Sequence, residues 1–153
     1  MTFKRWMYRK GRPHTLAKIL NRGWAVVHSL GILPNYFVTL EVVGRQSGKV
    51  ISLPLAMVVI NSERYLVSML GDDTNWVRNV EAAGGRATLR HGKTEQVILH
   101  RVAVQDRPPI LKKYLRLAPG ARSHIPVRKD APLSEFEKVA GGFPVFRVEN
   151  IDS

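Results

Sequence analysis

Cysteine is missing from this 153-residue chain. Its absence excludes disulfides, thiolate nucleophiles and cysteine metal sites, and it suits a reducing cytoplasm. The five histidines, His14, His28, His91, His100 and His124, fall in no His-x-His or His-Glu-x-x-His spacing, so no metal site is readable. There is no Gly-x-Ser-x-Gly elbow and no Walker-type loop. Carboxylates at close spacing occur as Glu135 and Glu137, which suit a helix cap better than hydrolysis. No apolar run spans a bilayer, since Lys18, Asn21, Arg22 and His28 interrupt the one candidate stretch. Acid is scarce as well. Twelve Asp and Glu stand against 24 Lys and Arg, a net charge of +12. Such a surplus calls for an acidic partner, whether nucleic acid, anionic lipid or a polyanionic small molecule.

An apolar fraction of 44% and this length fit one domain with a buried core. Met1 to Arg12 interleaves five cations with Phe3, Trp6, Met7 and Tyr8 and lacks the cleavage site of a secretory signal. It reads either as a segment for an anionic lipid headgroup layer or as the solvated basic start of a helix. From His14 to Leu33, Leu16, Ile19, Leu20, Gly23, Val27 and Leu30 recur at helical steps. That helix would cover an open end of a barrel or lie on a membrane surface. Residues 1–35 are thus a basic segment and helix, and 36–153 the main domain, in one folding unit.

Beyond Pro34 the pattern shortens. Phe37 to Val43 alternates, with Val38, Leu40 and Val42 on one side and Thr39 and Glu41 on the other, as in a half-buried strand. Val50 to Ile60 is a second, longer strand, and Tyr65 to Met69 a third after a turn at residues 61–64. Asp73 or Thr74 caps a short helix carrying Trp76, Val77 and Val80, ended by Gly84 and Gly85. Arg86 to His91 and Thr94 to Val104 form a hairpin. Asp106 caps a helix with Ile110, Leu111, Tyr114 and Leu115 on its apolar face. A loop over 118–132 leads to a helix with a capping-box spacing at Ser134 to Glu137, and Phe143 to Val148 is a final strand. Six short, mostly antiparallel strands with brief helices predict a small barrel rather than a βαβ sheet.

The loop between the first two strands, Gly44-Arg45-Gln46-Ser47-Gly48-Lys49, has two readings. Its exposed amides, cations and the Ser47 hydroxyl suit an anion nest, and the same residues suit an ordinary basic hairpin turn.

The stretch GRQSGKVISLPL followed by GDDTNWVRNVEAAG resembles the deazaflavin (F420)-dependent nitroreductase family of actinobacteria, from about Leu40 to Leu89. The resemblance implies a split β-barrel of the flavin-reductase type, α+β but mainly antiparallel β, and an oxidoreductase; the missing cysteines place it in the cytoplasm, and the basic N-terminal segment suits a peripheral position on the inner face of the membrane. It would transfer a hydride from reduced coenzyme F420, an 8-hydroxy-5-deazaflavin, to a small hydrophobic substrate with an activated C=C, quinone or nitro group. This coenzyme is strongly acidic, which suits the charge surplus, and its ring carries the chemistry that the side chains lack.

By the same resemblance, Arg45, Gln46, Ser47 and Gly48 would lie against the phosphate and tail, with Lys49 adding charge. Ser52, Leu53, Pro54, Leu55 and Ala56 would line the ring through backbone groups and small side chains. Ser68, Met69 and Leu70 would come from the neighbouring strand, and Asn75, Trp76 and Asn79 would close the other side. Trp76 also reads as simple core packing. Gln46 and Leu70 stand where the family often carries lysine, and an arginine near Ile51 and Ser52 is missing. Each loss removes a contact of roughly 1.5–3 kcal/mol. An FMN-binding barrel is therefore the alternative, ahead of a non-catalytic module on membrane or nucleic acid. Tyr114 and Tyr36 are the candidate proton donors, and either a monomer or a homodimer fits.

Overall fold

The computed structural model describes residues 36–118, 121 and 124–151. The expected N-terminal basic segment and helix lie outside them. Six strands form a closed antiparallel barrel: β1 (Phe37–Val43), β2 (Val50–Ile60), β3 (Glu63–Val67), β4 (Arg86–Arg90), β5 (Thr94–Arg101) and β6 (Val145–Asn150), in spatial order 1-2-3-6-5-4 with β4 returning to β1. Among the described residues three helices accompany them: α1 (Asn75–Ala82), α2 (Pro108–Leu117) and α3 (Leu133–Val139). The predicted barrel, with short helices after the third and fifth strands, is the observed one.

Period-two alternation divides the apolar residues between two cores. Val38, Leu40 and Val42 face the barrel interior with Met57, Leu66, Leu89, Val97, Leu99, Phe146 and Val148. Ala56, Val58, Val67 and Val145 face outward and are covered by α2 and α3 through Ile110, Leu111, Tyr114, Leu115 and Phe136. Each fully buried Leu or Phe contributes about 2 kcal/mol of transfer free energy. Two cores rather than one explain why β6 alternates Val145 and Phe146, both apolar and both buried.

Several boundaries differ from the sequence reading. The β2–β3 turn is two residues, because Asn61 and Ser62 both take positive φ (52° and 68°) and pairing resumes at once with Ile60 opposite Glu63. β3 ends at Val67, since the Ser68 hydroxyl turns to the Gly71 carbonyl. β5 stops at Arg101, and Val104–Asp106 forms a 3-10 turn. β6 runs from Val145 to Asn150, two residues later than expected. The helix caps differ too. Arg107 precedes α2 with prolines in its first turn, Pro132 precedes α3, and neither Asp106 nor Ser134 makes a capping hydrogen bond. In α2, Pro108 and Pro109 fill first-turn positions whose N–H would have no partner within the helix.

Register places the β1–β2 loop, the start of β4 and the end of β5 at one rim, where α1 crosses from β3 to β4 and adds Val77 and Val80 to the barrel core. At the opposite end, Glu95 (4% exposed) accepts from both Arg64 terminal nitrogens at 2.7 and 3.1 Å. It is also bonded to His91 Nε2 at 2.8 Å and accepts from the Asn150 amide. This polar plug closes the floor. No described helix is long and apolar enough to cross a membrane.

Candidate cofactor-binding site

The barrel is split at its rim. β3 pairs with β2 only over Met57 to Ile60, so among the described residues the upper part of β2 is joined to the sheet on its β1 side alone. Ser52 to Ala56, the stretch expected to line a ring, lies largely along that open edge. Its side chains alternate. Leu53 and Leu55 turn in toward the barrel core, while Ser52, Pro54 and Ala56 share the outer face with their β1 partners Glu41, Thr39 and Phe37. A flat ligand at this edge would meet backbone and the small outer residues. The five side chains do not form one surface.

Beside the edge stands the 44–49 loop. Its amides are mostly spent internally: Gly44 N donates to the Lys49 carbonyl at 2.6 Å, Gly48 N to the Gly44 carbonyl at 2.8 Å, and Lys49 N to Ser47 Oγ at 3.2 Å. Gly48 takes φ of 71°, which favours glycine, and a Cβ on Gly44 would approach Ser47 Oγ to 2.8 Å, so the Ser47 hydroxyl would have to shift. The Arg45 amide donates to Asn79 Oδ1 at 3.0 Å. An open nest of backbone N–H groups is therefore not what the loop presents. Lys49 is buried (8% exposed) rather than the exposed cation expected, its backbone being drawn back across the loop. Arg45, Gln46 and Ser47 are exposed.

Asn79 reaches the loop from the second turn of α1. Its Oδ1 also accepts from Arg45 Nη1 at 2.7 Å, joining residues 34 apart in sequence, and Asn79 itself is 3% exposed. Three residues earlier on the same helix, Trp76 packs at a tilt on Phe146 of the barrel core, with ring centres 5.6 Å apart and planes inclined by 58°. Trp76 is half-buried, so core packing accounts for part of its surface and the rest stays available. Asn75 is exposed at the helix start. Thr74 holds the N-cap position, yet its hydroxyl bonds to the Gly71 carbonyl at 3.2 Å and to Ser68 Oγ at 3.2 Å. Ser68 is buried within that turn, Met69 packs against the outer core and Leu70 is 59% exposed.

The structure thus joins Arg45 directly to Asn79 and brings Trp76 onto the same helix. Ser68 serves the turn that starts α1. The sequence reading missed Arg101, whose guanidinium lies 5.8 Å from the Phe146 ring centre and pairs with Glu81 at 2.9 Å and with Asp72. No local pattern signals it, because its partners are 20 and 29 residues away. Tyr114 is 3% exposed in the outer core, where burial pushes its phenol well above the ordinary range, so it faces no solvent-reachable substrate. Among the described residues no cluster of three metal-ligating side chains occurs.

No family model and no curated protein matches the chain. Solved structures do. An F420-H2 dependent reductase (FDR-A) is similar at a TM-score of 0.55 and 22% identity, over 77% of this chain and 97% of that one. A heme binding protein from Mycobacterium smegmatis is similar at 0.50 and 14%, over 82% of this chain and 51% of that one. A putative 5-nitroimidazole antibiotic resistance protein from Bacteroides thetaiotaomicron reaches 0.50 and 9%, over 86% and 80%. These likenesses establish a shared barrel fold.

Proposed function

We propose that the protein is a deazaflavin-dependent reductase that binds coenzyme F420 along the split between β2 and β3. What carries this reading is the open edge of β2 at Ser52 to Ala56 lying at the rim that bears Arg45 and Trp76. An extended edge offers backbone C=O groups and the N–H groups of its residues other than Pro54 to the amide-like edge of a flat heterocycle. The residues present fit the group. Arg45 is exposed at the loop and no described carboxylate pairs with it, which leaves its charge for a phosphodiester. Trp76 offers a half-buried aromatic surface three residues before Asn79, the partner of Arg45, on the same helix. Likeness to an F420-H2 dependent reductase supports the choice.

When bound, the coenzyme supplies a hydride. The chain binds and orients: Arg45, with Gln46 and Ser47 beside it, holds the anionic tail, the β2 edge fixes the ring plane, and Trp76 excludes water from one side. Small hydrophobic acceptors with an activated C=C, quinone or nitro group are the substrate class. With Tyr114 buried, the proton comes from solvent rather than from that phenol.

FMN is the second reading, favoured by neutral Gln46 and exposed Leu70 at the two positions where cations would clasp a longer anionic tail. Fluorescence titrations with oxidised F420, FMN and a DNA duplex decide. Saturable F420 binding that survives moderate salt is expected. Binding of DNA alone, with a steep salt slope, would overturn the assignment.

A further inference from the structure

We infer that Asn79 is a positioning residue: it fixes Arg45 for an oxyanion without cancelling its charge. Its single carbonyl oxygen takes both the Arg45 amide (3.0 Å) and Nη1 (2.7 Å), so the backbone and the tip of one side chain are anchored at the same point. Two bonds to one atom close a ring through the arginine, restricting χ angles that a free exposed arginine would sample. The acceptor is an amide. Other rim and floor arginines, Arg64, Arg78, Arg90 and Arg101, are held by carboxylates, which neutralise them. Arg45, by contrast with these four, is held by a neutral group. Its remaining N–H groups keep their full charge for a phosphate or carboxylate, in the fork geometry that suits such ligands.

The helix that carries the tether is itself registered to the barrel. Val77 and Val80 are buried in the inner core, and Trp76 rests on Phe146. Asn79 thereby transmits the position of a rigid element to a surface loop, which is how a site on a loop gains precision. The inference rests on the proposed anionic cofactor for its ligand, and on geometry alone for the tether.

The test separates tether from charge. Asn79→Asp keeps an acceptor in place but supplies a negative charge, whereas Asn79→Ala removes the acceptor. Two ligands are titrated: oxidised F420 and the phosphate-free 8-hydroxy-5-deazariboflavin. Asn79→Asp and Arg45→Ala should each weaken F420 on the order of tenfold to a hundredfold and leave the phosphate-free ligand within about twofold. Exchange of the Arg45 amide hydrogen should stay slow in Asn79→Asp and speed up in Asn79→Ala. Should Asn79→Ala fold poorly, Arg45→Lys serves in its place: it keeps the charge and the amide bond but loses the fork, and should also weaken F420 selectively. Unchanged F420 affinity in Asn79→Asp, equal loss of both ligands, or Arg45 exchange unaffected by Asn79→Ala would each overturn the inference. If the parent protein binds neither ligand, the cofactor assignment falls and the oxyanion role with it. The exchange measurement then still decides whether the tether exists.

Discussion

Glu95→Gln should cost the protein about 2–3 kcal/mol at neutral pH, and that cost should vanish in acid. The carboxylate is 4% exposed at the barrel floor, and the Arg64 guanidinium holds its pKa down from an ordinary 4.5 to about 2, with bonds from His91 and Asn150 adding to the effect and burial opposing it. At about 1.4 kcal/mol per tenfold change in proton affinity, that difference makes the ionised form worth about 3 kcal/mol to the fold. Arg64 keeps 22% of its side chain in water, so screening trims the figure somewhat. A depressed carboxylate pKa stabilises above the unfolded value and loses its contribution as pH falls through the folded one. Stability of the parent should therefore be level above pH 4.5 and decline toward pH 2 on this account. Urea unfolding followed by circular dichroism at several pH values measures it. At pH 7 the variant should unfold earlier, with a melting temperature about 5–10 °C lower for a chain of this length. The gap between the two proteins should close as acid protonates Glu95 in the parent. A gap under about 1 kcal/mol, or one that stays constant down to pH 2.5, would refute the reasoning.

Gly85→Ala should destabilise by about 2 kcal/mol, read by thermal melting, because φ is +87° and a Cβ would stand 2.7 Å from the Leu99 carbonyl oxygen. Arg107→Met should cost about 2–4 kcal/mol in urea unfolding. Its buried guanidinium donates to the carbonyls of Val102, Ala140 and Phe143, which the thioether leaves unpaired. Trp76→Ala should lower stability by about 2–3 kcal/mol and weaken F420 binding together, whereas Trp76→Phe should restore most of the first. Equal stability of Trp76→Ala and parent would show that the ring does not pack on Phe146.

The barrel was legible in the sequence because strand periodicity is local. Val38, Leu40 and Val42 alternate with Thr39 and Glu41, and β2 is rich in β-branched residues, so both strands were placed to the residue. The apolar faces of α1 and α2 were equally readable from their spacing. Strand ends were not, since they depend on backbone choices such as the paired positive φ at Asn61 and Ser62, or on the Ser68 hydroxyl finding Gly71.

In the candidate site, the residue types of the 44–49 loop and of the Trp76–Asn79 turn were visible as two motifs in order. Their roles required three dimensions. Sequence alone presented Arg45 and Lys49 as equivalent cations, and folding left one exposed and buried the other. It presented Ser52 to Ala56 as one lining, and the pleat sends alternate side chains to opposite faces. The Arg45–Asn79 bond, the Arg64 and Asn150 bonds to Glu95 and the Arg101 pairs join residues 20 to 55 positions apart. Composition and periodicity carry information only over a turn of helix or a few residues of strand. Which distant polar groups meet is decided by barrel closure, and a charge gains its function from the partner that closure assigns to it.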